Sequence, residues 1–239
     1  MPRNIYVCFT CLRDSALLPL HYTALKRALP GVRVYYVFEP EEGRQADVPE
    51  GAFRVLAPFP HNRNLLGLRC HLGMLQTMKH LSEQNGMANA IKIDADVILR
   101  SDYFLSTLGS EHDMVGVAPA QVYYCKGTCY GMTHSLICKT IQYLSHGYMD
   151  LSDRLEDSTI SMAAAIVSDA NKIRIHNARS ADGSEFLYSI FTRRLQQEPR
   201  FISSIRGFID CGDPIYTRDF PDAIEAKAAA MRFILQQNL

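Results

Sequence analysis

The chain has 239 residues, of which 47% are hydrophobic and 21% are charged, which is the composition of an ordinary globular protein with a sizeable core. Its 25 basic and 25 acidic residues give a formal net charge of zero. A neutral chain argues against a dedicated nucleic-acid-binding protein, because such proteins bind through an excess of basic residues. No apolar run reaches the about 20 residues that a membrane-spanning helix needs.

The cysteines and the N-terminal residues bear on the cellular compartment. The seven cysteines are an odd number and are more typical of thiols in a reducing compartment than of a disulfide framework. Cys8 and Cys11 form a C-x-x-C, but Cys8 falls inside an apolar strand pattern, so we expect structural thiols and not a redox or zinc site. The first residues show no secretory signal pattern. We expect a cytoplasmic protein whose last helix is a candidate for peripheral association with the inner face of a membrane.

Strand and helix patterns alternate in the first half of the chain. They predict, in order, a strand at 4–11, a helix from Asp14 or Ser15 to about Leu29, strands at 32–39 and 53–56, a helix at 65–84, a strand at 90–93, a helix near 102–108 and a strand at 113–118. The helices are indicated by apolar residues at three- and four-residue spacing, and the strands by β-branched and aromatic runs. Such alternation predicts an α/β fold with a mainly parallel sheet covered by helices on both faces.

The second half of the chain has a different pattern. It predicts antiparallel strands or a hairpin over 123–138, helices at about 140–147 and 156–168, a strand at 172–176, a loop at 177–185 and a final helix at 222–237. No internal repeat or long low-complexity tract separates the two halves. We therefore predict a single domain spanning 1–239, with halves 1–118 and 119–239.

The sequence Asp94-Ala95-Asp96 follows the apolar run at 90–93. Side chains two positions apart in an extended chain point to the same face, so both carboxylates can serve one ligand. Mg²⁺ and Mn²⁺ prefer oxygen ligands and are often bound by one or two carboxylates together with substrate phosphates. Ligands of parallel sheets bind beyond the carboxyl ends of the strands, where Thr10 and Glu39 also lie. The sequence therefore predicts a site for a cation and a diphosphate at this edge.

Taken in order, these features resemble the nucleotide-sugar-dependent glycosyltransferases of the GT-A fold. The resemblance covers roughly residues 4–190 and rests on the strands that end in Thr10 and Glu39, the long helix that bears Arg69, and the strand that runs into Asp94-Ala95-Asp96. The glycine-containing run at 129–138 is similar to the acceptor-side strand of the family. The resemblance implies a GT-A-like, Rossmann-like sheet with a nucleotide-sugar-binding first half and a smaller antiparallel sheet on the acceptor side.

The resemblance also implies a reaction and the residues that perform it. A sugar would move from a nucleoside-diphosphate sugar, for which we predict a UDP-sugar, to a hydroxyl of a glycan, a lipid-linked sugar or a protein. For donor binding, the resemblance implies Thr10, Glu39, Arg69, Asp94, Ala95 and Asp96, and for binding Mn²⁺ or Mg²⁺ it implies Asp94, Asp96 and His176. For acceptor binding it implies His134 and Ser135. The implied catalytic base is Asp157 or its neighbour Glu156. A base is needed only if the reaction inverts the anomeric centre, and the sequence leaves the stereochemistry open.

Each of these residue types also has a structural explanation. Aspartate is common where strands end, and Asp157 suits the first turn of a helix through the helix dipole alone. A sugar nucleotidyltransferase is one alternative, but such enzymes carry a glycine-rich loop after the first strand, whereas Phe9–Asp14 contains no glycine. The other alternative is an inactive module of the same fold that binds carbohydrate or a partner protein. Neither the acceptor nor the oligomeric state is set by the sequence.

Overall fold

The computed structural model describes residues 4–59, 68–99, 105–118, 129–147, 156–177, 208–210 and 223–236. The strands in these segments are β1 (Asn4–Phe9), β2 (Val34–Phe38), β3 (Phe53–Leu56), β4 (Asn89–Ile93), β5 (Val97–Leu99), β6 (Met114–Ala118), β7 (Cys129–Met132), β8 (Ile173–Asn177) and β9 (Phe208–Asp210). The helices are α1 (Leu18–Ala28), the single turn α2 (Pro40–Gly43), α3 (Leu68–Gln84), α4 (His134–Ser145), α5 (Glu156–Val167) and α6 (Ala223–Gln236).

Seven of the strands form one sheet in the order β3-β2-β1-β4-β7-β6-β8. The first four are mutually parallel, β6 and β8 are parallel to each other, and β7 is antiparallel to both β4 and β6. Six strands therefore end at the same edge, which we call the carboxyl edge. The prediction of an α/β fold with a mainly parallel sheet is confirmed.

Antiparallel pairing involves the second half of the chain, but it is distributed over two sheets. β7 pairs within the main sheet, whereas a separate two-stranded sheet joins β5 to β9, with Val97 opposite Asp210 and Leu99 opposite Phe208. The smaller antiparallel sheet thus combines a strand from each half of the chain.

The apolar strands are buried because helices cover both faces of the sheet. Alternate residues of β1 point to opposite faces: Tyr6 and Cys8 join a core formed with α1, α6 and β5, which we call the α1–α6 face. Ile5 and Val7 join the core formed with α3, α4 and α5, which we call the α3–α5 face. Leu75 of α3 is fully buried there, and burial of such a side chain stabilises the fold by about 2 kcal/mol.

The prediction that Asp14 or Ser15 caps the first helix was wrong. Residues Leu12–Leu17 form a 3-10 helix, and α1 begins only at Leu18. Pro19 explains the later start, because proline is favoured in the first helical turn, where its missing N–H is not needed. The Ser15 hydroxyl donates instead to the Leu12 carbonyl at 2.6 Å.

The predicted strand over 129–138 was also wrong beyond Met132, where β7 ends. Thr133 accepts a hydrogen bond from the Leu136 N–H through its side chain and so caps α4, which starts at His134. His134 and Ser135 are therefore helical. A threonine before an apolar pattern of helical period commonly marks the start of a helix. The β-forming residues around Gly131 led to the prediction of a longer strand instead.

Other predictions agree with the structure or fall outside the described residues. The predicted strand at 53–56 and the start of the helix at 156 match β3 and α5. Cys8, Cys11, Cys70, Cys129 and Cys138 are thiols and not disulfides. Of the predicted helix near 102–108, residues 102–104 lie outside the described residues, and 106–108 form a turn that ends in a β-bridge between Leu108 and His112, so the helix was wrong there. Nearly all of the loop at 177–185 lies outside the described residues. None of the helices in the described segments is long and apolar enough to cross a membrane.

Candidate functional site

The carboxyl edge brings three of the predicted positions next to one another. Thr10 follows β1, Glu39 follows β2 and caps α2, and Asp94-Ala95-Asp96 follows β4, which is the other neighbour of β1. The Thr10 N–H donates to the Val37 carbonyl at 2.9 Å and so continues the pairing of β1 with β2. Its hydroxyl is buried and has no hydrogen-bond partner among the residues that the structure describes. Buried polar atoms in native proteins are rarely left without a partner, so a polar ligand atom here would satisfy it.

Asp94-Ala95-Asp96 forms a turn between β4 and β5. The Val97 N–H donates to the Asp94 carbonyl at 3.2 Å, which closes the turn. Ala95 is buried in the core of the α1–α6 face, while Asp94 and Asp96 keep 24% and 13% of their side chains exposed. The two carboxylates thus lie at the rim of the core, where they are partly shielded from water and still accessible to a ligand.

Each of the two carboxylates is paired with a lysine. Lys92 lies on β4, two residues before Asp94, and its Nζ donates to Asp94 Oδ1 at 2.7 Å. Lys227 lies on α6, and its Nζ donates to Asp96 Oδ2 at 2.6 Å. The second pair links the C-terminal helix to the carboxyl edge.

The ammonium of Lys227 is surrounded by acidic groups. Burial lowers the pKa of Lys227, but attraction by Asp96, supported by Asp14 and Asp94, outweighs burial and raises the pKa above its usual value. Asp14 is itself buried in the 3-10 helix. Sequence reasoning missed Asp14 and Lys227 as site residues, because Asp14 was interpreted as a helix cap and nothing near Lys227 indicates its distant partner.

A buried histidine lies within electrostatic reach of this carboxylate cluster. His21 of α1 is completely buried, and its Nδ1 hydrogen bonds to Tyr36 Oη at 2.9 Å. Burial lowers the pKa of His21 to about 4, against a smaller opposing effect of the Asp96 charge. Within the described segments, its Nε2 has no hydrogen-bond partner. A neutral imidazole therefore lies near Asp96, and no sequence pattern had indicated it.

Asp157 is placed on the α3–α5 face of the sheet. It lies in the first turn of α5, where its Oδ1 accepts from the Ser158 N–H at 2.7 Å. Asp157 also acts on His71 of α3: burial lowers the pKa of His71, and the Asp157 carboxylate opposes that shift. Glu156 begins α5 and Arg69 lies in the first turn of α3, but the side chains of both residues lie outside the described part of the structure.

The topology does not bring His134 and Ser135 to the carboxyl edge. β7 is antiparallel to β4, so the start of α4 lies level with the amino end of β4, at the opposite edge. His134 Nδ1 contacts Ser82 Oγ at 3.0 Å, near the end of α3, which agrees with this placement. The structure places these two residues away from the predicted donor positions, because the strand that precedes them runs in the opposite direction, and their role in acceptor binding stays a prediction.

His176 lies near the carboxyl end of β8, in register with Val117 of β6. β8 is separated from β4 by β7 and β6, which corresponds to about 14 Å at the usual strand spacing. The side chain of His176 lies outside the described residues, so its role as a third metal ligand stays a prediction.

The carboxylate pair suits a cation whose other ligands come from a substrate. Among the residues that the structure describes, no group of three or more His, Cys, Asp or Glu side chains is arranged to hold a metal ion. Asp94 and Asp96 nevertheless supply the oxygen ligands that Mg²⁺ and Mn²⁺ prefer. The Lys227 ammonium bonded to Asp96 shows that the carboxylates here stabilise a positive charge.

Comparisons with known proteins add little to this geometry. No protein-family model matches the sequence, and no curated protein matches it. Among solved structures, the chain is similar to the glycosyltransferase GlyE of Streptococcus pneumoniae TIGR4, with 11% sequence identity and a TM-score of 0.42. The match covers 73% of this chain and 44% of that one, so this chain spans less than half of that structure. A likeness at this level does not decide the function, which has to be argued from the site.

Proposed function

We propose that this protein is a glycosyltransferase that transfers a sugar from a nucleoside-diphosphate sugar, with UDP-sugars as the first candidates, to an acceptor hydroxyl. The observation that carries the proposal is the pair Asp94 and Asp96 at the carboxyl end of β4, with a stabilised positive charge on Asp96. Ligands of parallel sheets bind at this edge, and a diphosphate is usually bound through a cation held by one or two carboxylates.

The donor side of the reaction would use the residues that follow β1, β2 and β4. Asp94 and Asp96 would hold Mn²⁺ or Mg²⁺, which, when bound, stabilises negative charge on the diphosphate leaving group. The buried Thr10 hydroxyl, which has no hydrogen-bond partner in the described part of the chain, would donate a hydrogen bond to the nucleotide sugar, and Glu39 would contact the nucleoside. Arg69, in the first turn of α3, would add positive charge near the phosphates.

The acceptor side would use the first turn of α5. In an inverting reaction the acceptor oxygen attacks the anomeric carbon, the bond from that carbon to the diphosphate oxygen breaks, and the hydroxyl proton passes to a base. Asp157 is the residue proposed for this step, because its carboxylate is half-buried and acts electrostatically on the buried His71 of α3. The acceptor would then approach from the α3–α5 face.

Release of nucleoside diphosphate from a panel of nucleotide sugars tests this proposal. Wild type is compared with Asp96→Asn, which removes one charge at nearly constant shape, and with Asp169→Asn as the matched control. Asp169 is exposed and precedes β8 at the opposite edge of the sheet. We expect one nucleotide sugar to be hydrolysed or transferred by wild type and the control, with a loss of at least about 100-fold in Asp96→Asn, the loss typical of one electrostatic stabiliser.

The same experiment can contradict the proposal. Equal turnover by Asp96→Asn and Asp169→Asn would exclude a donor site at Asp96. If folded wild type turned over no nucleotide sugar in the panel, the proposed activity would be contradicted, and a binding module would be the better description of the protein.

A further inference from the structure

We propose that Lys227 is an exchangeable counter-ion: its ammonium occupies the cation position on Asp96, and a divalent cation that binds there must displace it. This inference deepens the proposed function and rests on it, because it concerns the cation of the same donor site. Lys227, a residue of α6, would then set the affinity of the site for the cation.

The geometry of the pair supports this assignment. Lys227 Nζ lies 2.6 Å from Asp96 Oδ2, and only 19% and 13% of the two side chains are exposed. Because the pair is shielded from water, its attraction is stronger than that of an exposed salt bridge. Asp14 and Asp94 attract the same ammonium, so three carboxylates act on a single positive charge.

The charge balance fits a site that binds a cation together with an anionic substrate. Lys92 pairs with Asp94, Lys227 pairs with Asp96, and Arg13 pairs with Asp14 at 3.4 Å, so these six groups are neutral together when all are ionised. A divalent ion in place of Lys227 would leave one net positive charge on them, which a diphosphate would offset. Such a replacement needs a hard cation with oxygen ligands, which is the chemistry of Mg²⁺ and Mn²⁺.

Two buried polar atoms lie on elements beside this cluster. In the part of the chain that the structure describes, the Thr10 hydroxyl and His21 Nε2 have no hydrogen-bond partner. His21 is close enough to Asp96 to respond to its charge, and Thr10 ends the strand that lies beside β4. Buried groups of this kind are commonly satisfied by an ordered water or a ligand.

Calorimetric titration of the full chain with Mn²⁺ alone tests the exchange. The variants are Lys227→Met, which keeps the length of the side chain but removes its charge, Lys227→Arg, which keeps the charge, and Asp96→Asn. Lys79→Met is the control for net charge, because Lys79 lies on α3 and pairs with Glu83 on that helix, both 38% exposed. If Lys227→Met does not fold, as judged by circular dichroism, Lys227→Gln takes its place.

Exchange predicts that Lys227→Met binds Mn²⁺ at least about tenfold more tightly than wild type and Lys79→Met, a factor equivalent to about 1.4 kcal/mol. Mn²⁺ should also raise the melting temperature of Lys227→Met more than that of wild type, since a ligand of the folded state stabilises in proportion to its affinity. Lys227→Arg should stay near wild type, and Asp96→Asn should not bind.

Two results would overturn the inference, and they are distinguishable. If Lys227→Met and Lys79→Met bind Mn²⁺ equally while Asp96→Asn does not bind, the cation site exists but Lys227 does not compete for it. If no variant, including Lys227→Met, binds Mn²⁺, the inference fails together with the cation of the proposed donor site.

Discussion

At the scale of single residues, a change to the hydroxyl of Thr10 tests the stability of the fold and the affinity for the nucleotide independently. Replacing Thr10 by Val keeps the shape of the side chain and removes a buried polar atom that makes no hydrogen bond to any residue the structure describes. We expect the free energy of unfolding to stay within about 1 kcal/mol of wild type or to rise, because no protein hydrogen bond is lost. Nucleotide affinity should fall about fivefold, the effect of one hydrogen bond to a ligand.

A second buried threonine provides the control for this variant. The Thr77 hydroxyl on α3 is also buried and has no partner among the described residues, so Thr77→Val makes the same chemical change away from the carboxyl-edge residues. Urea unfolding and calorimetry on both variants give the comparison. Equal nucleotide affinity for Thr10→Val, Thr77→Val and wild type would show that the Thr10 hydroxyl does not contact the donor.

His21 makes the stability of the metal-free protein depend on pH. Its pKa is about 4 in the folded protein and 6.5 in an unfolded chain, so below pH 6.5 the unfolded chain gains a proton that the folded protein does not bind. Stability therefore falls as the pH decreases from about 6.5 to about 4, by up to about 3 kcal/mol from this group. Urea unfolding at pH 7 and pH 4.5 should show a smaller loss for His21→Gln than for wild type. The same loss in both proteins would contradict burial of a neutral His21.

At the scale of elements, Thr133 decides where β7 ends and α4 begins. Its hydroxyl accepts from the Leu136 N–H at 3.3 Å and caps the helix. Thr133→Ala should reduce the free energy of unfolding by about 1 kcal/mol, the usual effect of losing a cap, whereas Thr133→Ser should retain most of it. Thermal unfolding of the two variants measures the difference, and equal stability would mean that the cap does not hold the start of α4.

The elements also show what a sequence can predict. Strands β1, β2 and β4 were predictable because they are short, mainly apolar runs that are buried along nearly their whole length, although β4 includes Asn89 and Lys92. The long helix α3 was predictable because its leucines recur with helical period. The starts of α1 and α4 were missed, since they depend on competing local signals at Pro19 and Thr133. These signals are weak compared with the propensities of the neighbouring residues.

At the scale of the whole molecule, the C-terminal helix completes the carboxyl edge. Met231 and Ile234 of α6 are buried in the same core as Leu25 of α1, and this packing holds Lys227 over Asp96. The sequence predicted that Thr10 and Asp96 lie at the same edge of the sheet, because each follows the end of a predicted parallel strand. The partner of Asp96 did not, because the two residues are 131 positions apart and only tertiary packing brings them together.

The claim that Asp96 holds the cation of a nucleotide-sugar donor is tested most directly by calorimetric titration with nucleoside diphosphates, UDP first, with and without Mn²⁺. Wild type, Asp96→Ala and the control Asp169→Ala are measured under the same conditions. We predict Mn²⁺-dependent binding of one nucleotide to wild type and to the control, and no binding to Asp96→Ala. Binding of that nucleotide to Asp96→Ala with unchanged affinity, or no binding of any nucleoside diphosphate to folded wild type, would contradict the account.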